Sequence, residues 1–177
     1  MWRTVSRTSG VVALTAVLGG CGLVQSISDE TRSTAHTLFY KQVKTLHLDL
    51  RGRAAMNNDL QEMSGLSVPT LVRVYQLRER KSLDKASYEE LLVDSQGTLG
   101  ADLLEHRSLM LMPGQGVQFN QPMHQDARYV AVIALFRHPE AEANTWRQVL
   151  DRQDLDPDRA RTLELGDNHL TLRPLAE

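Results

Sequence analysis

One thiol, six histidines and a few serines and acids are the groups in this chain that could do chemistry. Cys21 is the only cysteine of 177 residues, and it follows Leu18-Gly19-Gly20, an aliphatic residue and two small ones. A cysteine in that setting can be acylated, because only a thiol forms a thioether with diacylglycerol. Small residues before it let an extended backbone enter a protease. The histidines (His36, His47, His106, His124, His138, His169) are far apart, and no pair has the spacing of a metal site on one helix or turn. His47 and Asp49 fall on one side of an alternating segment, where a solvated polar strand face explains them best. Ser64, in Met63-Ser64-Gly65-Leu66, lacks the preceding glycine of a nucleophile elbow. Gly114-Gln115-Gly116 lies between strands, so it reads as a turn and not as a phosphate cradle. No acid pair and no Ser/His/Asp order stands out, so nothing makes a positive case for catalysis.

The segment that positions Cys21 has three zones. Arg3 and Arg7 give a short positive start, and no acid precedes Asp29. An apolar run follows from Val11 to Leu18. It has the length of a secretory core and is too short for a bilayer of about 30 Å. The run closes on Leu18-Gly19-Gly20-Cys21, which is similar to the lipobox cut by lipoprotein signal peptidase. The expectation is therefore a leader over 1–20, cleavage before Cys21, and covalent diacylglycerol and N-acyl chains on that residue, with no other cofactor. A chance cysteine behind an ordinary leader, or an uncleaved helical anchor, would leave the placement of the one thiol unexplained. A lone cysteine also excludes an intramolecular disulfide. Several acyl chains, each methylene adding about 0.8 kcal/mol, hold a protein durably on a membrane. The residue after the cysteine is Gly22, not the Asp that retains lipoproteins in the inner membrane, and this points to the outer one.

Composition bounds the remainder. Loss of residues 1–20 removes Arg3 and Arg7 and no acid, so the formal charge moves from −2 to −4. Mild acidity with interspersed signs argues against nucleic acid. The length is that of one domain, large enough for a real core. No second apolar stretch approaches membrane length.

Residues 21–42 read as the acylated cysteine and a polar tether, with a short helix capped near Ser28, and 43–177 as one folded domain. Leu46, Leu48 and Leu50 alternate with His47, Asp49 and Arg51, and the phase runs on through Gly52, Ala54 and Met56, predicting a first strand over 44–56. Asn57-Asn58-Asp59 stops it. Residues 68–77 read as strand two, with Leu71, Val74 and Tyr75 as core contributors. Ser82–Leu92 has helical spacing, and a helical turn is expected at Gly100–Glu105. Short strands return at 109–112, 117–120, 128–137, 145–151, 161–165 and 169–173, with tight turns at Pro113-Gly114 and Gly166-Asp167-Asn168. Tyr129–Phe136 is apolar on both faces and should be the most buried strand. Eight short strands with one helical insertion predict an all-β two-sheet sandwich.

The connection between strands one and two is long for a hairpin. It runs Asn57, Asn58, Asp59, Leu60, Gln61, Glu62, Met63, Ser64, Gly65, Leu66, Ser67. Leu60, Met63 and Leu66 on such a loop fit a partner surface, since Met and Leu adapt to a groove. The alternative is that they fold back on the base of the loop.

The lipobox, the strand ending in Asn57-x-Asp59, and Ser67-Val68-Pro69-Thr70-Leu71-Val72-Arg73-Val74-Tyr75-Gln76-Leu77 together resemble the outer-membrane lipoproteins of the type VI secretion system, the TssJ family. Tyr88-Glu89-Glu90-Leu91-Leu92, Leu99-Gly100-x-Asp102, Met112-Pro113-Gly114, Tyr129–Arg137 and Trp146-Arg147 agree. The resemblance implies a transthyretin-like sandwich with a small helical addition, held on the periplasmic face of the outer membrane. It also implies a non-enzymatic role: binding the periplasmic C-terminal region of the inner-membrane protein TssM through the loop Asn57–Ser67. A tethered small-ligand binder is the competing reading and would require an enclosed apolar cavity.

Overall fold

The computed structural model describes residues 43–58 and 66–175. Eight strands form two four-stranded sheets around one apolar core. The strands are β1 (Thr45–Gly52), β2 (Thr70–Leu77), β3 (Leu103–Leu111), β4 (Gly116–Pro122), β5 (Tyr129–Leu135), β6 (Arg147–Asp151), β7 (Arg161–Gly166) and β8 (His169–Leu172). The first sheet has the order β4-β1-β7-β8 and the second β3-β2-β5-β6. All pairings are antiparallel except β1 with β7. The expected sandwich is the one observed.

Alternation explains β1. Leu46, Leu48 and Leu50 are fully buried, while on the other face His47 meets Asn120 across the β1–β4 pair and Asp49 holds Arg51. The strand is shorter than its apolar phase predicts and stops at Gly52. A Cβ there would lie 2.7 Å from the Met112 carbonyl oxygen, so the β3–β4 turn crosses where only glycine leaves room. Met56 is buried as its phase requires, but the chain reaches it by a turn.

β5 lies between β2 and β6, and its central residues Val130–Ala134 have no exposure. Both its faces are covered because the helical insertion lies over the outer side of the second sheet. Arg73 donates to the Leu91 carbonyl, and Arg147 to those of Leu83 and Ala86. The same cover buries Tyr75, whereas Leu71, expected in the core, is half-buried and the inward phase of β2 runs through Val72, Val74 and Gln76.

The single helix expected over Ser82–Leu92 is two, α1 (Lys81–Lys85) and α2 (Tyr88–Leu99). Ala86 and Ser87 are extended, and Ser87 opens α2 with a reciprocal capping box to Glu90. The accepting Glu90 carboxylate is held below its usual range by the Ser87 backbone and hydroxyl donors. After α2 the chain makes one 3-10 turn, Gly100–Asp102, and then runs straight into β3, so the helical turn expected to Glu105 ends early. β3 is far longer than the predicted 109–112 because it is an edge strand, and its middle is exposed and polar. Met112–Gln115 carries the chain from one sheet to the other, with Gly114 at φ 74°. The β7–β8 hairpin turns on Asp167 (φ 48°) and Asn168 (φ 64°), the mirror-image turn that Asp and Asn tolerate.

Candidate functional site

Strand direction divides the domain into two poles. β1 and β7 run one way and β4 and β8 the other, so Val43, where the described chain begins, lies at one end and the strand 1–2 connection at the opposite end. The Gln76 amide donates to the Pro122 carbonyl and accepts from the His124 amide, which places the far end of β2 at the Val43 pole. The loop pole therefore gathers the connection after β1, the β3–β4 turn, the β7–β8 hairpin and the chain leaving β5.

These pieces hold the stem of the strand 1–2 loop from all sides. Gly52 N–H donates to Gln115 O (2.8 Å), Arg53 N–H to Leu165 O (2.8 Å), Gly114 N–H to Arg53 O (3.2 Å) and Asp167 N–H to Ala55 O (3.0 Å). Met56 N–H reaches the Ser67 hydroxyl at 3.2 Å, closing the stem on itself. Asn57 is 2 % exposed and has φ 51°. Its Nδ2 donates to Pro69 O (3.2 Å) and its Oδ1 accepts from Arg137 N–H (2.7 Å), bolting the stem to the start of β2 and to the chain beyond β5. The Asn58 carbonyl accepts from Asn168 Nδ2 at 3.1 Å. Asparagine suits position 57 because it tolerates a left-handed backbone and offers one donor and one acceptor.

Of the predicted loop residues, Asn57 and Ser67 belong to this stem, and Asn58 joins it through its backbone. Leu66 is 66 % exposed, so it does not fold back on the base. Asp59, Leu60, Gln61, Glu62, Met63, Ser64 and Gly65 lie outside the described residues, as do Leu18, Gly19, Gly20, Cys21 and the tether. From the sequence Asn57 reads as a turn former and the first residue of the partner loop, whereas its side chain is a buried bridge. The signal for more was an Asn-Asn pair beside a buried apolar phase, yet its partners are 12 and 80 residues away.

His36 lies outside the described residues, and His47, His106, His124 and His169 make structural contacts. His169 meets Glu140 at 3.0 Å, linking the β7–β8 hairpin to the β5–β6 connection. Among the described residues no three His, Cys, Asp or Glu side chains gather as a metal site, and no helix is long and apolar enough to cross a membrane. A furrow lined by Arg51, Arg159, Thr162, Glu164 and Arg173 opens on the outer surface of the first sheet. It is charged and open to solvent, unlike the apolar chamber that a buried small ligand would need.

Residues 44–172 match the family described as type VI secretion lipoproteins, VasD, EvfM, TssJ. No curated protein matches the sequence. Among solved structures, a chain of one described as "Type VI membrane complex" is 38 % identical, with a TM-score of 0.70, over 75 % of this chain and all of that one. A chain of the structure described as the TssM C-terminal domain from EAEC is 37 % identical, with a TM-score of 0.66, over 75 % of this chain and all of that one. The lipoprotein TssJ1 from Pseudomonas aeruginosa is 26 % identical, with a TM-score of 0.59, over 75 % of this chain and 98 % of its own. With the two-sheet fold and a family match that runs from the start of β1 to the end of β8, the chain belongs to the TssJ family of type VI secretion lipoproteins.

Proposed function

We propose that this protein is a non-catalytic assembly factor, anchored to the periplasmic face of the outer membrane by acyl chains on Cys21, that recruits and holds the periplasmic part of TssM through the loop Asn57–Ser67. The observation that carries this reading is the loop stem. Strands, hairpins and a buried Asn57 converge to fix the base of a connection whose one described apolar side chain between the two stem ends, Leu66, faces solvent. A rigid base lowers the ordering cost of binding, so the loop can present apolar side chains to a partner at little entropic loss. A similar chain, 37 % identical, occurs in a structure described by the TssM C-terminal domain, which supports the choice of partner. Gly22 supports the outer membrane as destination.

Two experiments test the two ends. Cys21→Ser is expected to leave a folded domain that fractionates with the soluble periplasm and to abolish secretion; secretion at the wild-type level without acylation refutes the anchor. Deletion of Leu60–Met63 is expected to weaken binding of the TssM periplasmic fragment by about 2 kcal/mol or more, the scale of a hot-spot loss, while the melting temperature stays nearly unchanged. An unchanged affinity in calorimetric titration removes the loop from the interface.

A further inference from the structure

Leu71 is an apolar side chain on the face of β2 that turns away from the core between the sheets. Val72, Val74 and Gln76 point inward, so Leu71, Arg73 and Tyr75 share the outer face of the second sheet. The helical cover accounts for the last two: Arg73 donates to Leu91 O at 2.6 Å, and Tyr75 has no exposure. Leu71 stands nearer the loop pole and is half-buried. It is paired on one side with Met110 of β3 and on the other with Leu135 of β5. Directly opposed residues share a face, so the three side chains form one apolar row across the end of the sheet. Met110 is 54 % exposed, and Met112, 48 % exposed, extends the row past the end of β3. Thr70 pairs with Leu111, so the chain that arrives from the exposed Leu66 enters the sheet next to Met112.

Leu66, Met110 and Met112, three of the exposed large apolar residues of the described chain, therefore gather at the loop pole. A partner held by the loop has reason to reach them. A stable interface of ordinary size takes roughly 20–30 residues from each side. The connection Asn57–Ser67 supplies 11, and Asn57 is buried in the stem. The rest of the contact comes from the surface around the stem, and the apolar part of that surface is the ledge of Leu71, Met110 and Met112. Unbranched, polarisable thioethers suit such a contact, because they adapt to the shape set against them.

We propose that this ledge is a second contact for the partner recruited by the strand 1–2 loop, seating an apolar face of the partner's periplasmic region on Met110 and Met112. The inference rests on the reading of that loop as the partner contact, and it adds a platform whose position is fixed by strand pairing.

The full chain with Cys21→Ser, which carries no acyl group, is titrated with the TssM periplasmic fragment. Met110→Lys and Met112→Lys are each expected to weaken binding about tenfold or more, the scale of an interface anchor. Their melting temperatures should match the wild type, because both side chains are exposed. Leu175→Lys, at an exposed apolar residue beside the furrow of the first sheet, is the control and should bind as the wild type does. Hydrogen peroxide, which turns a thioether into a sulfoxide and is itself reduced to water, gives a readout without substitution. Saturating fragment is expected to slow oxidation of Met110 and Met112 severalfold, while the buried Met56 and Met123 report on unfolding. Wild-type affinity in both lysine variants, with unprotected methionines, overturns the ledge; a loop deletion that still weakens binding then leaves the loop reading standing alone. Weakened lysine variants beside an unaffected loop deletion keep the ledge and remove the loop. No binding by the wild type overturns both. If a lysine variant lowers the melting temperature, Met110→Gln and Met112→Gln decide by the same titration. Self-association of the wild type that protects both methionines without the fragment assigns the ledge to a second copy of the chain and overturns the proposal.

Discussion

Replacing Asn57 tests whether the loop stem is held in the way its contacts imply. The side chain is 2 % exposed, bridges Pro69 O and Arg137 N–H, and sits at φ 51°. Asn57→Ala removes both bonds and leaves a backbone donor and a backbone acceptor with no side-chain partner, at roughly 1–3 kcal/mol for an orphaned buried group. Alanine also lacks the short polar side chain that lets asparagine tolerate a left-handed backbone, which adds about 1 kcal/mol. The expected loss is then about 3 kcal/mol or more, or at least roughly 10 °C in melting temperature for a domain of this size. Asn57→Gly loses the same bonds without the backbone strain, so it should be about 1 kcal/mol milder than alanine. Asn57→Asp keeps the acceptor for Arg137 N–H but sets an oxygen against the Pro69 carbonyl, so it should fall near alanine. Chemical denaturation of the four proteins gives the order asparagine, glycine, then alanine and aspartate. Titration with the TssM periplasmic fragment should show affinity falling in the same order, since a loosened stem restores the ordering cost of binding. Alanine equal to wild type in stability would refute the bridge, and an affinity indifferent to the whole series would separate the stem from binding.

Tyr88 offers a prediction in pH. Its hydroxyl donates to Phe136 O at 2.6 Å, and burial, aided by Glu89 and opposed by Arg73, pushes its pKa up to about 12. The folded value lies above the unfolded one of about 10, so the stability it supplies is complete below pH ~10 and is lost as pH climbs through the folded value. Unfolding free energies measured from pH 9 to 12 should show an alkaline fall in the wild type that is shallower in Tyr88→Phe; parallel curves would refute it. Gly52→Ala should cost about 1–3 kcal/mol because its Cβ would meet the Met112 carbonyl oxygen at 2.7 Å. A melting temperature equal to wild type would show that the β3–β4 turn yields freely.

The elements governed by periodicity could be read from the sequence, and those governed by distant contacts could not. β1 and β5 follow from alternation and from an apolar run, because a side chain's burial in a strand depends on its own parity. The helix break was also legible, since Ser87-x-x-Glu90 is a capping box written in the sequence, but the helical apolar spacing on either side of it masked the stop. The parity of β2 misled for a tertiary reason: Tyr75 is buried by a helical cover that local pattern does not encode. β3 was shortened because its exposed Glu105, His106, Arg107 and Ser108 lack an apolar face, as an edge strand can. At the site, composition pointed to the loop, while its fixation by Asn57, Asn168 and Arg137 depends on chain crossings that no short-range pattern records.

The two poles give the anchor and the loop a common geometry. β1 has eight residues, so the chain rises about 26 Å, at ~3.3 Å per residue, between the Val43 pole and the Gly52 crossing. Residues 22–42 cannot span more than about 70 Å even when fully extended. Under the proposed acylation of Cys21, such a tether keeps the domain near the membrane without fixing its orientation. What the fold fixes is the separation of Val43 from the loop stem, because one strand leads from the first to the second with no intervening turn. Here both ends of the loop stem lie at the pole opposite Val43, so the connection starts and finishes on that side of the domain.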